Sequence, residues 1–254
     1  MSAASEAARI FGLRDVTMNF GNVVAIQDVV FEVAPSEIVG LVGDNGAGKS
    51  TLVKIMNGFY SPSRGNMEFR GERVSFASPR DARKAGIETV YQDLALIPAL
   101  SIWRNFFLGR ELKVGPWPLR FLDKKSMRQI TMENLREMGL TRLRSPDEPV
   151  DILSGGERQA LAIARARHFG GTLLLLDEPT SALSVKETEK VSEAVQTARN
   201  SGLGVVIIDH NISHVHRICD RIVIMEGGRI IKSVRRDDVT AERVADIVAG
   251  RHAL

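Results

Sequence analysis

Val39-Gly40-Leu41-Val42-Gly43-Asp44-Asn45-Gly46-Ala47-Gly48-Lys49-Ser50-Thr51 is the stretch that decides how the rest of the chain is read. Gly43 to Ser50 fit G-x-x-x-x-G-K-[ST], a loop whose backbone N–H groups cradle phosphate oxygens. The apolar run Ile38 to Val42 before it reads as a strand. Leu52, Val53, Ile55 and Met56 after it read as the buried side of a helix. Glycines let the backbone curl so that several N–H groups point inward. The start of the following helix adds partial positive charge. In this pattern Lys49 reaches the β- and γ-phosphates and the Ser50 hydroxyl ligates Mg²⁺. Asp44, Asn45, Gly46, Ala47, Gly48 and Thr51 complete the cradle. Four fixed positions coincide by chance in about one chain in a hundred of this size, and the strand before and helix after make coincidence rarer. A glycine-rich turn that only caps a helix explains less of this context, so the chain is read as a nucleotide binder.

Length and composition bound what such a site can belong to. The 254 residues allow one large domain or two small ones. No apolar run reaches the ~18 residues that span a membrane, and MSAASEAARIFGLRD lacks the apolar core of a signal peptide. Cys219 is the single cysteine, which excludes an intrachain disulfide and suits a reducing compartment. Beside Ile218 it reads as a small apolar residue rather than a reactive thiol. The 34 basic and 31 acidic residues are too balanced to argue for a nucleic-acid partner. Only the first eight residues have a composition that suggests disorder.

Along the chain, Ile10 to Met18 and Val23 to Val33 read as strands around a Gly21-Asn22 turn, and residues 64–76 as a short hairpin. Together they predict a small antiparallel sheet. Pro79 to Gly86 reads as a helix capped by Ser78, and Ile87 to Gln92 as a strand. From residue 93 to 155 helical periodicity takes over, in Ile102, Phe106 and Phe107 and then in Met127, Ile130, Met132, Leu135 and Met138. A Gly/Pro-rich loop, Val114 to Leu119, interrupts it. After it come a strand at Leu173 to Leu176, a helix from about Ser184 to Asn200, and a strand at Val205 to Ile208. A closing hairpin (Arg221 to Met225, Arg229 to Val234) and a last helix from Thr240 to Gly250 follow. Short apolar strands alternating with helices argue for a mostly parallel α/β core.

Phosphate chemistry needs an acid for the metal and a group that orients the attacking water. Leu173-Leu174-Leu175-Leu176-Asp177-Glu178 supplies both. Four leucines place the strand inside the sheet, and Asp177 emerges at its carboxyl end, where open α/β sheets bind ligands. Asp177 is the candidate metal ligand, through water, and Glu178 the candidate base. Leu153-Ser154-Gly155-Gly156-Glu157-Arg158-Gln159 is a second helix start with anion-binding features: a hydroxyl and two glycines. Alone, Ser154 with Glu157 reads as an ordinary capping box.

LSGGERQ upstream of LLLLDEPT resembles the signature of the ATP-binding cassette (ABC) family, over about residues 10–250. The resemblance implies an α/β fold: a P-loop NTPase core with a mostly parallel sheet, an antiparallel β subdomain and an inserted α-helical subdomain. One ABC domain would span 9–250, with 9–92 and 156–250 in the core and β subdomain and 93–155 as the helical subdomain. It further implies that Gln92 is the Q-loop glutamine, linking the Mg²⁺ site to the membrane partner. His210 would be the switch histidine at the γ-phosphate, and Phe20 the aromatic residue stacked on adenine. Glu178, His210 and Gln92 are thus the catalytic candidates, and Ser50, Gln92 and Asp177 the metal candidates. Two cassettes pack head to tail in the family, so Ser154, Gly155 and Gly156 would meet the ATP held by a second copy or by a partner cassette. Ser181-Ala182-Leu183 resembles the family's D-loop; Ser184 stands where that loop commonly ends in Asp, and Asp209 where Ser commonly precedes the switch histidine.

Ala77 to Ile87, Tyr91 to Pro98, Leu108-Gly109-Arg110-Glu111 and Ile247 to Arg251 resemble the ATPases of bacterial monosaccharide importers of the fructose and ribose type. Many of these fuse two cassettes; this chain resembles the single-cassette form. The resemblance implies an ATP hydrolase at the cytoplasmic face of the inner membrane, driving integral permease subunits and, through them, served by a periplasmic solute-binding protein. No nucleic-acid partner is expected. Branched-chain amino acids as the solute, or a non-transport cassette, stay open as alternatives. In the family a permease helix docks between the helical region and the Q-loop. Trp103, in that region, reads as core packing before it reads as a contact.

Overall fold

The computed structural model describes residues 9–251; the disorder and leader expectations for the first eight residues lie outside them. In chain order, β1 (Phe11–Phe20), β2 (Val23–Val33) and β3 (Ile38–Val42) lead to α1 (Lys49–Met56). Then come β4 (Arg64–Phe69), β5 (Glu72–Val74), α2 (Pro79–Ala85) and β6 (Ile87–Val90). The next stretch holds α3 (Ile102–Phe107), β7 (Lys113–Val114), β8 (Phe121–Leu122), α4 (Lys124–Glu137) and α5 (Gly155–His168). The last holds β9 (Leu173–Asp177), α6 (Val185–Asn200), β10 (Gly204–Ile208), α7 (Ile212–Ile218), β11 (Arg221–Glu226), β12 (Arg229–Arg235) and α8 (Ala241–Val248).

The chain divides into two compact units. The first takes the described residues up to Gln92, Gly170–Pro179, and those from Arg199 on. It holds a six-stranded sheet of order β12-β11-β3-β10-β9-β6 and a four-stranded sheet of order β2-β1-β4-β5. In the larger sheet β11, β3, β10, β9 and β6 run parallel and β12 closes the edge antiparallel. All five residues of β3 and of β10 are buried, and so are the four leucines of β9. Such unbroken apolar runs belong to strands covered on both faces. The smaller sheet is antiparallel throughout, as the hairpin signals predict. Phe11, Leu13, Ile26, Phe31, Leu41, Leu52, Ile55, Leu175, Val206 and Val223 share one core. α7 presses on β3 so closely that a Cβ on Gly40 would overlap the Val215 side chain and lie 3.0 Å from Cys219 Sγ. Cys219 is buried, and burial pushes its thiol far up, which makes it packing rather than chemistry.

The second unit takes Asp93–Phe169 and Thr180–Ala198. It is wider than the 93–155 insert that composition marks off. α5 packs on α3 and α4, and α6 is tied to the start of α5 by its acidic and basic side chains. Asn105, buried on α3, accepts from Ile97 N–H and donates to the carbonyls of Ile97, Leu100 and Ser101, fixing the chain that enters the helix. Trp103 is 3% exposed and donates its indole N–H to Asp147 Oδ1 at 3.0 Å, consistent with its reading as core. The Gly/Pro-rich stretch expected as a loop is a hairpin. β7 and β8 pair Lys113 with Leu122 and Val114 with Phe121.

Candidate nucleotide-binding site

Parallel order brings the sequence candidates of the first unit to one edge of the sheet. Gly43 follows β3, His210 lies two residues past β10, Asp177 ends β9 with Glu178 next, and Gln92 lies two residues past β6. These are the carboxyl ends of four adjacent parallel strands.

The glycine loop is shaped by contacts that exclude side chains. At Gly43 (φ +152°) a Cβ would overlap Met225 O, and at Gly48 (φ +100°) it would lie 2.8 Å from Ile26 Cγ2 and 3.0 Å from Ala25 O. Lys49 Nζ donates to Gly43 O at 2.6 Å and Asp44 O at 2.9 Å, so it spans its own loop. Burial pushes its ammonium below its ordinary pKa, against the pull of Glu178, Asp44 and Asp177. Ala47 is buried and its N–H donates to Asp44 O, while Asp44, Asn45, Gly46 and Ser50 are exposed and Thr51 is half-buried. No side chain caps the N-terminus of α1, and no acid stands in its first turn. α2, α4, α5, α7 and α8 each begin under a capping side chain. The start of α1 is therefore a helix end with the charge and N–H supply for an anion.

Asp177 is half-buried. Burial first, and then Glu178 beside it, hold its carboxyl above the usual range, against Lys54 and Lys49. Glu178 takes a left-handed backbone (φ +49°) while its N–H donates to Ile208 O at 2.8 Å. That conformation is costly for a non-glycine residue and turns the chain sharply at the end of the sheet. Glu178 Oε2 lies 3.9 Å from His210 Nδ1. His210 is exposed; Asp209 before it is 1% exposed. Asp209 Oδ1 accepts from Asn211 N–H at 2.9 Å, and its Oδ2 lies 3.5 Å from His214 Nδ1. The Asn211 side chain in turn caps α7. Asp209 thus anchors the turn that carries His210, a role its sequence position gave no account of.

Phe20 ends β1, partly exposed, with Tyr60 edge-on at 5.1 Å; Tyr60 in turn meets Phe59. The sequence reading names neither Tyr60 nor Phe59. Gln92 is exposed, and Tyr91 before it accepts from Asn57 Nδ2 at 2.9 Å.

Ser154, Gly155 and Gly156 belong to the second unit. The capping box forms: Glu157 N–H donates to Ser154 Oγ, and Ser154 N–H donates to Glu157 Oε2 at 2.9 Å. A second acid reaches the same helix end. Gly155 N–H donates to Glu187 Oε1 at 2.9 Å, and Ser184 donates its N–H and Oγ–H to Glu187 Oε2. The backbone N–H of Ser184, before the other donors, holds the Glu187 carboxyl below its usual range. Ser184 in place of Asp therefore has a visible consequence: it aims Glu187 at the signature glycines. A Cβ on Gly156 would lie 2.6 Å from Glu187 O. A partner 32 residues downstream leaves no local sequence signal.

Residues 26–181 match the family model of the ABC transporter. The chain belongs to the ABC transporter family. The cassette is 45% identical over 240 residues to the xylose/arabinose import ATP-binding protein XylG of Sulfolobus acidocaldarius, covering 93% of this chain and 92% of that one. It is 41% identical over 245 residues to the fructose import ATP-binding protein FrcA of Rhizobium meliloti, covering 95% and 94%. An ABC transporter cassette in its ADP conformation shares the fold with a TM-score of 0.79 at 21% identity, covering 95% of both chains. A dimeric cassette in a post-hydrolysis state with ADP and Pi does so at 0.72 and 25% identity, covering 89% of this chain and 98% of that one. The fold is the P-loop NTPase α/β fold, and the cassette is a nucleotide-binding ATPase. Among the described residues no helix is long and apolar enough to cross a membrane.

Proposed function

We propose that this cassette hydrolyses ATP to energise a sugar importer. The observation that carries the reading is the convergence of Lys49, Asp177, Glu178, His210 and Gln92 at the ends of four adjacent parallel strands, beside a helix N-terminus that nothing caps. The sugar assignment is supported by near full-length likeness to proteins named for xylose/arabinose and fructose import.

The donor set fits Mg²⁺ that arrives with its nucleotide. Among the described residues no group of three or more His, Cys, Asp or Glu could hold a metal by itself. Mg²⁺ commonly takes one or two carboxylates and completes its shell with phosphates and water. Ser50, Asp177 and Gln92 would hold it, and the ion would neutralise charge on the phosphates. A cation there also reverses the logic that holds the Asp177 carboxyl high.

Lys49 and the N–H groups of Gly46 to Thr51 hold the β- and γ-phosphates, with Gly43, Asp44 and Asn45 shaping the loop. Glu178 orients a water and takes its proton as the water oxygen bonds the γ-phosphorus and ADP leaves. His210 meets the γ-phosphate, on a turn fixed by Asp209. Phe20 offers its exposed face to adenine. Ser154, Gly155 and Gly156 of a second copy close over the γ-phosphate, making the working form a homodimer. That dimer sits at the cytoplasmic face of the membrane under integral permease subunits, which receive sugar from a solute-binding protein outside. Reconstitution with the permease subunits and binding protein that the cassette assembles with tests the reading. Xylose, arabinose, fructose or ribose is expected to stimulate ATP hydrolysis; stimulation by amino acids alone overturns the sugar assignment.

A further inference from the structure

The β7–β8 hairpin carries a run of exposed large apolar side chains. Trp117 is 83% exposed, Leu119 and Phe121 68% each, and Val114 and Leu122 are exposed beside them. Scattered surface apolar residues need no explanation, but five within nine consecutive positions form a patch, and patches mark contacts. Cross-strand pairing puts Val114 and Phe121 on the same face of the hairpin. Basic residues flank the hairpin along the chain: Arg110, Lys113, Arg120, Lys124 and Lys125, against two acids, Glu111 and Asp123. Both acids are engaged by backbone. Glu111 accepts from Gly109 N–H, and Asp123 accepts from Ser126 N–H as the cap of α4.

We propose that this hairpin is a lipid-surface contact that sets Trp117, Leu119 and Phe121 into the headgroup boundary of an anionic membrane. Tryptophan with other large apolar side chains, ringed by Lys and Arg, is the composition of interfacial segments. Charge decides between lipid and permease as the occupant. Cytoplasmic loops of membrane proteins carry excess Lys and Arg, which repel this rim, whereas the cytoplasmic leaflet is negative and attracts it. The proposal rests on the reading of the chain as a membrane transporter's ATPase, and it adds a direct lipid contact to the docking on permease subunits.

The full chain is tested by co-sedimentation with vesicles of phosphatidylcholine alone and with added phosphatidylglycerol, without any permease. Binding to the anionic vesicles is expected to be at least about tenfold tighter, and Trp117 emission to shift to the blue while buried Trp103 stays unchanged. The triple variant Trp117→Ser, Leu119→Ser, Phe121→Ser is expected to lose at least about tenfold in vesicle affinity, with thermal midpoint and basal ATPase unchanged. Lys124→Glu with Lys125→Glu is expected to erase the preference for anionic lipid. Equal binding of wild type and the triple variant overturns the proposal. So does a hairpin-dependent capture by detergent-solubilised permease with no vesicle binding. Vesicle binding alongside failed sugar stimulation would leave the lipid contact standing and remove only the importer reading.

Discussion

α1 begins at Gly48 with no side chain over its first N–H groups, whereas α5 begins at Ser154 under Ser154, Glu157 and Glu187. Both starts are glycine-rich, and by sequence both read as anion sites. The first is held open by overlap: at Gly43 and Gly48 the neighbouring backbone and Ile26 leave no room for a Cβ. The second is filled by carboxylates of its own chain. The difference teaches that an anion-binding helix end is defined by what leaves it unsatisfied. α1 has no capping side chain and no acid of its own chain in its first turn. α5 already has an acid, and a phosphate must displace Glu187 to reach Gly155.

The largest expected effect confines chemistry to the α1 side. Glu178→Gln is expected to lower turnover about a thousandfold, within the range for loss of a general base, while ATP affinity stays near wild type. Steady-state ATPase and nucleotide titration check this; full turnover removes the role given to Glu178. Lys49→Ala is expected to weaken ATP binding by about ten- to a hundredfold, the worth of a charge-assisted contact. Ser154→Ala should leave the affinity of the isolated subunit unchanged and instead cost about 1 kcal/mol of stability through the lost cap, about 2–4 °C in Tm for a chain of this size. If both substitutions weaken ATP binding by the same factor in the monomer, the two helix ends are equivalent and the comparison fails.

Much of the open site was legible because its signals are local. The P-loop glycines, the leucines of β9 and the caps at Ser78 and Thr240 each act within a few residues, and the folded elements follow them. The filled site was half legible. Ser154 with Glu157 announces a capping box, but Glu187 arrives from another helix. The sequence reading names no helix between Ile208 and Arg221, because α7 is only seven residues long with two histidines across its pattern. The two-residue strands β7 and β8 are too short to alternate, so Gly115, Pro116 and Pro118 made them read as a loop.

A smaller effect follows from Asp177. Its carboxyl is raised in the folded state by burial first and by Glu178 second. A raised carboxyl means the fold holds its proton more tightly than the unfolded chain, so stability falls as pH rises through the carboxylate range. Asp177→Asn is expected to raise the thermal midpoint of the nucleotide-free protein at pH 7. The gap should close once the pH drops below the ordinary Asp value, where both states are protonated. Mg²⁺ with nucleotide is expected to narrow the gap at pH 7 by favouring the ionised carboxylate of the wild type. A gap constant across pH would mean the substitution acts through packing and not through charge.

The smallest expected effect probes the filled end directly. Glu187→Gln keeps an acceptor for Gly155 N–H but removes the negative charge at that helix end. Its carboxylate also accepts twice from Ser184, so the amide makes fewer of these bonds. Because the group is near the surface, solvent screens its charge and the cost to the fold is small. In the Glu178→Gln background, where ATP is retained, the second substitution is expected to tighten ATP-driven dimerisation a few-fold, read by light scattering across protein concentrations. Glu187→Asp, which keeps the charge on a shorter arm, is expected not to. Weaker dimerisation in Glu187→Gln would mean that the carboxylate holds the signature glycines ready for the second subunit's ATP, and that α5 works with its acid in place.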